Sequence, residues 1–92
     1  MDYEKMESLA NSIPNKGIEP TMGLLGIRIH FDNEYGVSIV SHEYSYGGRG
    51  GLYELAVLRG DDLCYDTPIA DDVIGWLTAE EAIEIARKVE AL

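Results

Sequence analysis

A single cysteine, Cys64, in a chain of 92 residues excludes an internal disulfide and any zinc site built on several cysteines. Basic residues are scarce as well. Seven lysines and arginines stand against seventeen acids, and a formal charge of -10 repels phosphate backbones, so no direct nucleic-acid binding is expected. No apolar run approaches the roughly 20 residues that span a bilayer, so no membrane segment is expected either. The opening MDYEKMESLA is polar where a secretion signal would be basic and then apolar, which places the chain in the cytoplasm as an expectation. There are two histidines, His30 and His42. If they sit on paired strands of one hairpin they lie on the order of 10 Å apart, too far to share a metal. No Ser/His/Asp order, Cys/His pair or calcium-loop motif stands in the sequence, and Cys64 reads as a small buried hydrophobe. No enzyme activity, metal or cofactor is expected.

What is present suits a small globular fold. Hydrophobic residues make up 46% and charged residues 26%, enough for one core and too little chain for two. Met6, Leu9, Ala10 and Ile13 recur at helical spacing until Pro14, predicting a short N-terminal helix. Asn15 to Met22, with Gly17 and Pro20, shows no period and reads as a linker, so residues 1–25 look like a helical extension to a domain at 26–92. Ile27, Ile29 and Phe31 alternate with polar neighbours, the signature of a strand with one wet face. Turn residues at Asp32 to Gly36 then favour a hairpin into a strand running to about His42. Leu52 to Leu58 reads as a central strand covered on both faces, and Leu63 to Tyr65 as a short edge strand ended by Pro68. Thr78 and Glu81 form a capping box for a C-terminal helix whose inner face is Ala82, Ile83, Ala86, Val89 and Leu92. The expected fold class is α+β: a three- to four-stranded antiparallel meander, because the gaps are too short for parallel crossovers, packed on the C-terminal helix. An unpaired sheet edge would favour a homodimer. Trp76 is expected where sheet meets helix; a buried ring would cost about 3 to 5 kcal/mol to remove, whereas an exposed one would mark a contact residue.

Two segments carry functional signals. Tyr44-Ser45-Tyr46-Gly47-Gly48-Arg49-Gly50-Gly51-Leu52-Tyr53 places four glycines around one arginine, with tyrosines on its flanks. Such a loop is either a flexible connection or bulge, or a cradle for an anion, with Arg49 as counter-charge, Gly47 and Gly48 admitting close approach, and Tyr44, Tyr46 and Tyr53 available to stack on a base. Rossmann spacing and the P-loop lysine are both missing. Between Arg59 and Arg87 there is no basic residue but eight acids: Asp61, Asp62, Asp66, Asp71, Asp72, Glu80, Glu81 and Glu84. They form either a solvated surface or a face that imitates nucleic-acid phosphates and fills a basic groove on another protein. Arg59-Gly60-Asp61 spells an adhesion tripeptide, but Gly-Asp there is sufficiently explained by a tight turn.

The segments YSYGG at 44–48, GLYELAVL at 51–58, DTPI at 66–69 and DVIGWLT at 72–78 resemble a family of small bacteriophage proteins. The resemblance covers Gly26 to Leu92, and the family carries no assigned activity or catalytic residues that could be transferred. It implies a phage context, in which a small acidic protein acts stoichiometrically in the host cytoplasm. The preferred expectation is an inhibitor of a host nucleic-acid-handling or defence protein, anti-CRISPR proteins included, that offers its acids to a basic groove. The alternative is a binding module that sequesters a nucleotide signal in the glycine-rich loop.

Overall fold

Asp2 starts the first helix, its carboxylate accepting from the amide of Lys5 at 3.1 Å, and α1 runs Tyr3–Asn11. The structure is a computed structural model that describes residues 1–70 and 72–92. Six strands follow: β1 Gly17–Thr21, β2 Gly26–His30, β3 Tyr35–Val40, β4 Tyr53–Arg59, β5 Asp62–Leu63 and β6 Ile74–Leu77, before α2 at Ala79–Glu90. Every pairing is antiparallel, in the order β1-β2-β3-β4-β5, with β6 also on β4. The α+β class, the antiparallel order and both helices agree with expectation, except that α2 ends at Glu90 and leaves Leu92 exposed past the helix, and that β3 stops at Val40, short of His42. The strand count is larger than the expected three to four.

The two extra strands have separate physical reasons. Residues 17–21, expected as linker, form the edge strand β1, where Pro20 faces Ile27 and its missing amide proton is tolerated because an outer strand has one free side. Lys16 donates to the carbonyl of His30 at 2.9 Å, extending the pairing by one residue. Residues 74–77, expected as the lead into α2, form β6, which meets Tyr53 and Leu55 through a register shift. The edge strand expected at Leu63 to Tyr65 is shorter: ladder pairing ends at Leu63, and Cys64 adds one bond to the Val57 carbonyl at 2.8 Å. Thus β5 and β6 share one edge of β4, which is buried from Leu55 to Leu58 and occupies the expected central place.

Both helices lie on one face of the sheet. Registered rows Ile27/Ile39/Leu55 and Ile29/Val37/Val57 supply the floor, and Met6, Ala10, Ala82, Ile83, Ala86 and Val89 the roof. These side chains are 3% exposed or less, so each large one contributes roughly 1.5–3 kcal/mol by leaving water. Because α1 joins this core with Met6 and Ala10, it is packed against residues 26–92 and not hung beside them. Thr78 accepts from the Glu81 amide at 3.1 Å and Glu81 accepts from the Thr78 amide at 2.9 Å, completing the expected capping box of α2. No helix among the described residues is long and apolar enough to cross a membrane.

The meander sorts the connections to two ends. At the loop end lie the β1–β2 turn, the long β3–β4 connection and the exit of β6 into α2. At the hairpin end lie the β2–β3 and β4–β5 turns and the last turn of α2.

Candidate functional site at the loop end

Apolar side chains that the core does not need are gathered at the loop end. Among the described residues nine large hydrophobics are exposed, and six of them sit there: Met22, Leu24 and Leu25 on the β1–β2 turn, Tyr44 and Tyr46 on the β3–β4 connection, and Trp76 on β6. Trp76 does lie where sheet meets helix, but its ring is 68% exposed. An exposed tryptophan seldom arises by accident of packing, because it is the side chain with the most apolar area to hide. Strand spacing places the start of β2 and Trp76 on the order of 15 Å apart, three strands across the same rim.

The backbone is strained at the same places. Met22, Leu24 and Trp76 have φ of +52°, +74° and +60°, the left-handed region that side chains disfavour, and Glu34 in the β2–β3 turn at the other end shares it at +73°. Each such residue costs of order 1–3 kcal/mol, which the rest of the fold must offset. Met22 and Leu24 adopt it within the tight β1–β2 turn and Trp76 at the bulge of β6, and in each case the side chain is left facing solvent. Leu25 ties the first turn to the next connection by accepting from the Ser41 amide at 2.9 Å.

The glycine-rich connection is a closed, hydrogen-bonded loop. Ser45 Oγ accepts from the His42 amide and donates to the His42 carbonyl, both at 2.9 Å, and Ser41 Oγ donates to the Leu52 carbonyl at the loop's base. The amides of Ser45, Gly48, Gly50, Gly51 and Leu52 donate to carbonyls inside the loop, and that of Tyr46 to Glu54 Oε2 at 2.9 Å. An anion cradle needs such amides pointing outward together, and here they point inward. A side chain at Gly48 would run into the His42 carbonyl, so the glycine is required by the loop's own closure. The connection is therefore not a loose one.

Its docking partner is the bulge in β6. Trp76 donates its amide to the Tyr46 carbonyl at 3.2 Å, and a Cβ at Gly75 would overlap the Tyr46 side chain. Tyr46 and Trp76 thereby border a notch of about 160 Å³ whose remaining lining is Glu43, Ser45, Gly47, Arg49 and Gly50. Arg49 reaches Glu43 at 3.5 Å with both side chains mostly in water. Of the residues singled out in the loop, Tyr46, Gly47 and Arg49 line the notch, whereas Tyr44 packs edge-on to the His42 ring, Gly48 sits against the His42 carbonyl and Tyr53 is buried in the core opposite Leu77. Trp76 joins them through the sheet register, and its only sequence signal is a large aromatic beside Gly75.

The acids are spread. Asp61 and Asp62 occupy the β4–β5 turn at the hairpin end, whereas Glu80 and Glu81 begin α2 at the loop end, a helix of twelve residues and so about 18 Å long. Glu80 pairs with Lys5 at 3.1 Å, Glu81 is half of the capping box, and Glu84 pairs with Arg87 at 3.4 Å. Asp66 accepts from Cys64 Sγ at 2.8 Å, and Asp72 from the Val73 amide at 2.7 Å. Asp71 lies outside the described residues. A larger depression of about 500 Å³ borders Arg59, Asp62, Leu63, Cys64, Tyr65 and Asp66. Its one basic residue, Arg59, is paired with Glu34 at 3.9 Å and stands 5.6 Å over the Tyr35 ring. Comparisons against protein-family profiles, curated proteins and solved structures give no match to this chain.

Proposed function

We propose that this chain is an interaction protein that uses its loop end to dock on another protein with a basic surface, acting by occupancy and without chemistry. The observation that carries this reading is the coincidence, at one end of the sheet, of exposed anchors with strained backbone at Met22, Leu24 and Trp76. Aromatic anchors ringed by polar groups are the usual energetic centre of a protein interface. The net charge of -10 adds long-range attraction to a basic partner and repels nucleic acid competing for the same groove. Glu80 and Glu81, at the start of α2, then act as a charged border, and Asp61, Asp62, Asp66, Asp71, Asp72 and Glu84 as steering charge. The resemblance to phage proteins supports a host defence or nucleic-acid-handling protein as the target.

The test is affinity capture from bacterial lysate with three baits: the native chain, a loop-end variant carrying Tyr46→Ala and Trp76→Ala, and a hairpin-end variant carrying Asp61→Lys and Asp62→Lys. Partners held by the native chain should be lost with the loop-end variant and held, with a weaker salt dependence, by the other. The reverse pattern would move the docking surface to the acids of the hairpin end.

A further inference from the structure

The notch between Tyr46 and Trp76 defines what part of a partner fits there. At about 160 Å³ it is well below the roughly 300–1,000 Å³ of pockets that enclose a drug-sized ligand, and it has room for one long side chain. Two of its borders are aromatic, one tyrosine and one tryptophan, and the tryptophan face is the best partner that proteins offer a cation. A carboxylate, Glu43, completes the border, and the chain as a whole is strongly acidic. The loop amides of Ser45, Tyr46, Gly48, Gly50, Gly51 and Leu52 are already committed to partners within the fold. The basic group at the border is Arg49, which already leans on Glu43 at 3.5 Å. Exposed pairs of this kind contribute about 0–1 kcal/mol, so an incoming cation can displace Arg49 at little cost.

We propose that the notch seats one basic side chain, lysine or arginine, of the docked protein, with its cationic head between Tyr46 and Trp76 and Glu43 as its counter-charge. This deepens the docking reading and rests on it. Arg49 is then an internal competitor that occupies the counter-charge until the partner arrives. Gly75 and Gly48 allow the two borders to close without side chains of their own in the way, so the notch is formed before binding and little order is lost when it fills.

A blocked hexa-arginine peptide serves as probe, followed at low salt by the fluorescence of Trp76, the chain's single tryptophan. Tyr46→Leu keeps bulk but removes the π-face and should weaken binding about two- to fivefold, as should Glu43→Gln. Arg49→Ala should tighten binding, and by more than Lys88→Ala, which makes the same charge change at the hairpin end of α2. Asp61→Asn, matching the charge change of Glu43→Gln at the other end, should alter affinity less than Glu43→Gln does. Equal effects of each matched pair would reduce the attraction to general charge and overturn the proposal. So would weaker binding on Arg49→Ala, which a competitor for Glu43 cannot produce, or a Trp76 response to adenosine monophosphate, which belongs to an anion site. If these peptide results fail while lysate capture still depends on Trp76, the docking reading stands without this occupant; if capture also fails, both are wrong.

Discussion

The two ends of the sheet are built by opposite rules. At the hairpin end, side chains hold the backbone down: Asn33 Nδ2 donates to the carbonyls of Val89 and Glu90 at 2.9 and 3.0 Å, and its Oδ1 accepts from the Tyr35 amide at 3.0 Å. One amide thereby closes the β2–β3 turn and caps α2, satisfying carbonyls that a helix leaves open. Arg87 donates to Ser12 Oγ at 2.7 Å and fastens α1 to α2 nearby. At the loop end, Met22, Leu24 and Trp76 hold costly conformations that carry apolar groups into water, whereas the one such residue at the hairpin end, Glu34, carries a charge there. The difference teaches that residues can be large and apolar while contributing nothing to the core, and that the contacts tying helices to turns and the exposed apolar groups lie at different ends.

The strongest break in this comparison should come from the shared core. Phe31, fully buried where β2 enters the hairpin, should cost about 3–5 kcal/mol as Phe31→Ala, read as a large fall in denaturant midpoint. Asn33→Ala should cost about 1–3 kcal/mol, since it strands helix carbonyls and a turn amide together; a loss no larger than that of an average surface change would show that water replaces the side chain. Trp76→Gly sharpens the contrast, because it should stabilise by about 1 kcal/mol through relief of the left-handed strain, although the largest side chain in the protein is removed. That gain corresponds to a rise in Tm of about 4–8 °C, accompanied by loss of partner capture; a fall in Tm would mean that the ring supports the fold.

The smallest effect is electrostatic. Glu80 is held below the ordinary carboxylate range, first by its own amide at the start of α2 and then by Lys5. Its folded pKa therefore lies below the unfolded one, and the contribution is present above the unfolded value and lost as pH falls through the folded one. Thermal melts across that acid window should show a slightly flatter profile for Glu80→Gln. An identical profile would show that this exposed pair adds nothing.

Much of this frame was legible in the residues. The alternation of Ile27, Ile29 and Phe31, the hairpin turn, the buried central strand and the capping box at Thr78 each carry their signal within a few positions. What escaped depends on neighbours in space. Pro20 and Gly17 read as breakers because nothing local says that β1 has a partner on one side alone. Trp76 reads equally well as core or surface, and its exposure follows from a bulge at Gly75 that obscures the two-residue period of β6. The glycine-rich segment was visible as unusual, yet its inward amides were not, since four glycines are equally suited to open and closed loops.

The division of β4's outer edge between β5 and β6 also sets an order of assembly. From β1 to β5 each strand meets the next one along the chain, and the turns at β1–β2, β2–β3 and β4–β5 are short, which favours rapid zippering. The β4–β6 pairing has to close the longest loop in the sheet, from Leu55 to Ile74, before its contacts contribute. Trp76 should thus arrive last, and stopped-flow refolding watched through its fluorescence should lag the far-ultraviolet signal of the sheet and helices. If the loop end docks as proposed, a newly made chain would become binding-competent only after the rest of the molecule has folded.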